Sequence, residues 1–177
     1  MIFNWTVWWI IITFMASSIP KIFSLKYFIH LVDQYDILPK YLALLYGVFL
    51  PFVEVLGAGL LLSNTTFFYG IIVLQIILLS FAYAVYHVIS NNKILTCGCY
   101  GRFLDAKVDK FTLNKIITLF LLATLSLYLS TQYEVQYSLH YIGMGIFLTL
   151  LLLLSQWIWN FHQDALRILR YSGTGSD

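Results

Sequence analysis

Five long apolar runs constrain this chain more than any other feature of its sequence. They cover roughly Trp5–Ile22, Tyr41–Leu62, Phe67–Ile89, Phe111–Ser130 and Leu139–Phe161. Runs of about 20 apolar residues are typical of membrane-spanning helices. In lipid every backbone polar group must be satisfied within the protein, so only helices and closed barrels can span a membrane. Because the runs lack the alternation of barrel strands, the sequence predicts an all-α integral membrane protein.

The composition agrees with this class. Of the 177 residues, 60% are hydrophobic and only 10% are charged, whereas soluble domains carry about 25% charged residues. We predict one transmembrane domain over residues 1–162, a bundle of four to five helices, and a polar C-terminal tail over 163–177. The first run is the weakest span, because four residues interrupt it: Thr13, Ser17, Ser18 and Pro20. We interpret it as a retained helix, since no Lys or Arg precedes it as in a signal peptide.

A short amphipathic helix is predicted between the first two spans. Apolar side chains recur there at helical spacing, at Phe28, Leu31, Val32 and Tyr35. Such a helix commonly lies in the membrane interface, with its apolar face toward the acyl chains.

The basic residues are distributed unevenly along the chain. If all five spans cross, the ten Lys and Arg residues flank only the first and third connections and the C-terminal tail. The other side of the membrane, with the N-terminus, Ser63–Thr66 and the connection between the last two spans, has none. The positive-inside rule therefore predicts that the third connection, between the third and fourth spans, is cytoplasmic.

That third connection carries the only two cysteines of the chain, Cys97 and Cys99, separated by Gly98. One interpretation is a redox pair. Residues two apart can approach within disulfide range, and Gly98 tolerates the backbone angles that the small ring requires. Strain in that ring would raise the reduction potential, and Lys93 and Arg102 nearby would favour the reactive thiolate.

Two other interpretations stay open. The thiolates suit a soft metal such as Cu(I), Zn(II) or Hg(II), with His87, His30 or Asp105 completing the ligands. Alternatively, the cysteines have no chemical role, and the loop only docks to a larger membrane complex.

The motif Cys97-Gly98-Cys99-Tyr100-Gly101 resembles the CGCFG-type signature of the MauE family, within the MauE/DoxX group of redox-associated membrane proteins. The second span is similar too. The family shows LLP and then P-x-x-E-x-x-x-G-x-x-L. Here Leu38, Pro39, Pro51 and Glu54 correspond, and Gly59, with Leu61 and Leu62 close by, lies one position later than the glycine of the pattern. The resemblance covers most of residues 20–125, and Tyr100 replaces the commoner Phe.

The resemblance implies a multi-pass protein of the bacterial cytoplasmic membrane that forms or maintains disulfides in an extracytoplasmic partner. The family's redox cysteines carry over onto Cys97 and Cys99, and a thioredoxin-like protein is the implied partner. A quinone in the bilayer is the natural electron acceptor, although no quinone motif is visible in the sequence. No nucleic-acid partner is expected. On this resemblance the cysteines face outward, opposite to the side that the charges predict.

Three polar residues within or near the spans are candidate supporting residues. Glu54 and Gln75 lie equally far from the centre of the turn between the second and third spans, so we predict a hydrogen bond between them. A buried carboxylate could instead relay protons or contact a quinone. His87, near the cysteine end of the third span, is either a general base for a thiol or an interface anchor.

Four glycines lie in the second and fifth spans and are predicted to allow close helix packing: Gly57, Gly59, Gly143 and Gly145.

Overall fold

The computed structural model describes residues 2–91, 95 and 108–173. The helices of these residues are, in chain order, α1 (Ile2–Phe23), α2 (Leu25–Gln34), α3 (Lys40–Leu60), α4 (Phe67–Ser90), α5 (Lys110–Leu129) and α6 (Leu139–Gly173). All except α2 contain a stretch long and apolar enough to cross a membrane; in α6 it ends at Gln163. The prediction of an all-α membrane protein with five spans is confirmed.

The last helix is longer than the fifth apolar run. Helix α6 continues to Gly173, so its end lies within the predicted polar tail. No Pro or Gly interrupts the sequence between Gly145 and Gly173, and nothing local therefore stops the helix earlier.

Helix α1 is the centre of the bundle, although its sequence is the least apolar of the five spans. It packs against α3, α5 and α6, and 50% of its most apolar window is buried inside the protein, the largest share among the spans. The polar residues that interrupt it therefore meet other helices instead of lipid. Thr13, for example, hydrogen-bonds Thr149 of α6 across 3.1 Å.

Side-chain amides join the chain segments at one end of the bundle. Asn64, in the α3–α4 turn, accepts the backbone N–H of Val135, and Asn4 accepts that of Gln136, both at 2.9 Å. The N-terminal end of α1 and these two connections consequently lie at the same end, as the five-span arrangement predicts.

Helix α2 is amphipathic, as predicted, and it packs against α3. Its inward face buries Phe28 and Leu31. A Cβ on Gly47 of α3 would lie 3.0 Å from a side-chain atom of Ile29, so Gly47 permits this close approach. Tyr35, just after α2, is also buried, and burial raises the pKa of its phenol.

The outer faces of the spans are apolar and face away from the protein. Large exposed side chains there include Phe49, Leu56, Ile76, Leu121 and Phe147. A continuous apolar surface of this kind fits the hydrocarbon core of a bilayer, where it costs nothing.

Candidate functional site

Five of the predicted site residues lie outside the described residues: Cys97, Gly98, Cys99, Gly101 and Arg102. The chain on either side of them is described. The Val108 N–H donates to the Leu95 carbonyl at 2.9 Å, and both side chains pack on a cluster formed by Leu31, Tyr35 and Val88. The segment that carries the cysteines thus leaves and rejoins the bundle at one place, against the ends of α2 and α4.

His87 lies at this same end, in the last turn of α4. Its ring is close to Tyr83, with 6.4 Å between the ring centroids. Its Nδ1 is buried and makes no hydrogen bond to any residue that the structure describes. Buried ring nitrogens are normally paired, so this nitrogen of His87 has hydrogen-bonding capacity that no described residue uses.

Glu54 is fully buried in α3, and its partner differs from the prediction. Both carboxylate oxygens accept from the Lys21 ammonium group of α1, at 2.7 and 2.9 Å. Ser18, one turn earlier on α1, donates to the same carboxylate at 2.8 Å. The predicted hydrogen bond between Glu54 and Gln75 is therefore wrong: Gln75 instead donates to Thr124 of α5 at 3.0 Å.

The ion pair has an aromatic surround as well. The Lys21 ammonium lies 4.8 Å from the ring centroid of Phe81 and 5.3 Å from that of Phe28. Such contacts stabilise a desolvated cation through the negative face of the ring. Together with the carboxylate they replace the water that a buried lysine loses, and Lys21 has no exposed surface at all.

Sequence reasoning missed Lys21, because it was counted among the basic residues that flank the first connection. The signal was present: Ser18 and Lys21 are three residues apart and so share one face of a helix. Choosing this face required knowing that α1 occupies the centre of the bundle.

A second lysine, partly buried, lies next to the pair. Lys115 of α5 donates to the Gln156 side chain of α6 at 2.6 Å, and Gln156 is almost fully buried. A small cavity of about 40 Å³ is lined by Glu54, Lys115, Ser17 and Thr13, among other residues. Its lining is mostly apolar, and Glu54 and Lys115 are among the few polar residues that face it. The ion pair and the hydrogen bond between Lys115 and Gln156 are therefore neighbours inside the bundle.

A larger cavity, of about 300 Å³, lies between α2, α3 and α4 at the end where the cysteine segment attaches. Phe28 and Phe81 line it and separate it from Lys21. Its lining is mostly apolar; one hydroxyl pair, Tyr46 and Ser80, faces it and is hydrogen-bonded at 2.6 Å.

Metal ligands are not gathered anywhere in residues 2–91, 95 and 108–173. No group of three or more His, Asp, Glu or Cys side chains there could hold a metal ion. His30 hydrogen-bonds Gln34 on the surface of α2.

Comparison with known proteins matches this chain to a family model. The model described as methylamine utilisation protein MauE matches residues 1–130. The curated proteins give no match to this chain, and neither do the solved structures.

Proposed function

The chain belongs to the MauE family, and from that membership we propose that it is a membrane thiol–disulfide oxidoreductase or an accessory to one. Cys97 and Cys99 cycle between dithiol and disulfide. They form or maintain disulfides in an extracytoplasmic protein, through a thioredoxin-like partner, at the bacterial cytoplasmic membrane. The family match across residues 1–130, which includes the Cys-Gly-Cys motif, carries this proposal.

The chemistry needs only the two sulfurs and a partner. A thiolate of the partner attacks the Cys97–Cys99 disulfide, and the S–S bond breaks as a mixed disulfide forms. The partner's second thiolate then resolves that bond, so two electrons pass to the pair and the partner becomes oxidised. Reoxidation of Cys97 and Cys99 passes those two electrons on to an acceptor.

The anchoring of the segment supports this role. Cys97 follows Leu95 by two residues, and an extended chain spans at most about 3.6 Å per residue. Leu95 packs against the cluster of Leu31, Tyr35 and Val88, and His87 precedes Val88 in the chain. A histidine at that end, whose Nδ1 makes no hydrogen bond to any residue that the structure describes, suits a general base for a thiol.

The charge distribution opposes the proposed outward orientation less strongly than the sequence indicates. Lys21 and Lys115, two of the ten basic residues, bind side chains inside the bundle. They do not contribute to the positively charged rim that the positive-inside rule counts. The remaining Lys and Arg residues still favour a cytoplasmic third connection.

The test is thiol labelling in intact cells with a membrane-impermeant maleimide, with and without prior reduction. No other cysteine competes for the label, and the Cys97→Ser/Cys99→Ser double variant is the background control. We expect labelling from outside only after reduction, which means an extracytoplasmic disulfide. Labelling that needs permeabilisation and no reductant would refute the proposal and favour soft-metal binding by cytoplasmic thiols.

A second measurement tests the redox role directly. In cells that express Cys97→Ser or Cys99→Ser, the extracytoplasmic partner should accumulate in its reduced form. Unchanged partner oxidation in both variants would contradict the assignment of these cysteines.

A further inference from the structure

We propose that the cavity between α2, α3 and α4 binds the ring of an isoprenoid quinone, with its tail in a groove along α3. This inference rests on the proposed function and deepens it, because it assigns the acceptor for the electrons of Cys97 and Cys99.

The size and lining of the cavity fit a small-molecule site. Its volume of about 300 Å³ is at the lower end of the range for such sites, about 300–1000 Å³. The walls are aromatic and aliphatic, with Phe28, Phe81 and Val85 among them. Aromatic rings pack well against other aromatic rings in offset or edge-on geometry, and a quinone presents a flat ring of this kind.

The polar groups of the cavity suit a ligand oxygen. Ser80 donates its hydroxyl proton to the Ile77 carbonyl at 2.8 Å. A hydroxyl carries one proton, so Tyr46 is the donor in the 2.6 Å hydrogen bond between Tyr46 and Ser80. The Tyr46 oxygen keeps acceptor capacity for the O–H of a quinol, and rotation of its own O–H toward the cavity would let it donate to a quinone carbonyl.

A groove leads from the cavity along the outer face of α3. It has a volume of about 330 Å³ and is lined by Leu38, Leu42, Leu45, Tyr46 and Phe49. Leu38 and Tyr46 line the cavity as well, so the two spaces adjoin. Leu42 and Phe49 are exposed on the surface that faces lipid. A ring site with an apolar exit to lipid matches a ring that carries an isoprenoid tail.

The cavity lies beside the described end of the segment that carries the thiols. Leu31 and Tyr35 line the cavity, and Leu95 packs against the cluster that these two residues form with Val88. Cys97 follows Leu95 by two residues. In the reaction the two S–H bonds break, one S–S bond forms, and the two electrons and two protons convert the quinone to its quinol.

The experiment uses the full chain, purified in detergent micelles, and a short-tailed benzoquinone that carries a photoreactive azido group. We expect labelled peptides to come from residues 28–46 and 80–85, and unlabelled quinone to compete with the label. Tyr46→Phe should raise the half-saturating concentration roughly 5- to 10-fold, the value of one net hydrogen bond. The matched control is Tyr41→Phe, which removes the same atom from an exposed site on α3 and should change nothing.

A second variant fills the cavity without removing a polar group. Ala84 lines the cavity, and Ala84→Leu should abolish the competed labelling while circular dichroism shows unchanged helix content. Labelling that is spread over the chain, or that is the same in Tyr46→Phe and Ala84→Leu as in the natural chain, would overturn the proposal. The cavity would then be space for acyl chains only.

Failure of this site and failure of the proposed function give different results. The Cys97→Ser/Cys99→Ser double variant should bind the quinone normally and lose its reduction by the thiols. If the partner is still oxidised although the chain binds no quinone, the proposed quinone site is refuted and the proposed redox role stands. If the chain binds quinone specifically but its cysteines do not change the redox state of the partner, the quinone site stands and the redox role is refuted.

Discussion

The buried ion pair between Lys21 and Glu54 predicts a large energetic coupling between two helices. Its shortest N–O distance is 2.7 Å and neither side chain is exposed. At an effective dielectric constant of about 20, two unit charges at that separation attract by about 6 kcal/mol. Desolvating two ions costs several kcal/mol each, so the intact pair contributes little net stability.

Removing one partner is a different matter, because the other charge is left buried and unpaired. We expect Glu54→Gln and Lys21→Met each to lower the free energy of unfolding by about 3–5 kcal/mol. The Lys21→Met/Glu54→Gln double variant leaves no unpaired charge. It should lose no more than about 2 kcal/mol, so the two single effects fail to add by at least about 4 kcal/mol.

The assay is unfolding by sodium dodecyl sulfate in mixed micelles, followed by circular dichroism. Gln75 supplies the matched control, since it pairs with Thr124 and not with Glu54. Gln75→Leu should cost about 0.6 kcal/mol and should add to Glu54→Gln within about 0.5 kcal/mol. Additive effects of Lys21→Met and Glu54→Gln, within the same margin, would refute the ion pair.

Two further predictions concern packing and pH. A Cβ on Gly145 would meet Ile12 at 2.8 Å and the Trp8 backbone at 3.0 Å, whereas a Cβ on Gly143 would meet nothing within 4 Å. In the same unfolding assay, Gly145→Ala should therefore cost about 1–3 kcal/mol of stability, and Gly143→Ala should be neutral or slightly stabilising. Equal effects of the two substitutions would contradict the close contact of α1 with α6. Burial raises the pKa of Tyr35, so above pH ~10 the unfolded chain loses the phenol proton while the folded chain keeps it. The free energy of unfolding should therefore fall by up to about 1.4 kcal/mol per pH unit. Tyr35→Phe should reduce this slope between pH ~10 and ~11, and an unchanged slope would exclude Tyr35 as its source.

The glycines and Glu54 show where sequence reasoning stopped. The sequence predicts a packing role for both glycines of each pair, yet Gly57 and Gly145 make close contacts while Gly59 and Gly143 face open space. Residues two apart on a helix point in nearly opposite directions, so one of each pair had to face outward. Likewise, the predicted hydrogen bond between Glu54 and Gln75 was based on their equal distance from the turn between two spans. Equal depth does not fix the rotation of each helix about its own axis.

The sequence by itself determined the five spans, the amphipathic α2 and the grouping of the connections at the two ends. Hydropathy and helical period are local properties, and a lipid solvent permits few other structures for such runs. The Cys-Gly-Cys motif and the family were also readable from the residues. Only the tertiary structure decided that the least apolar span, α1, is the central helix and that Lys21 meets Glu54. Which helix faces come together depends on packing among all the helices at once, and no local pattern carries that information.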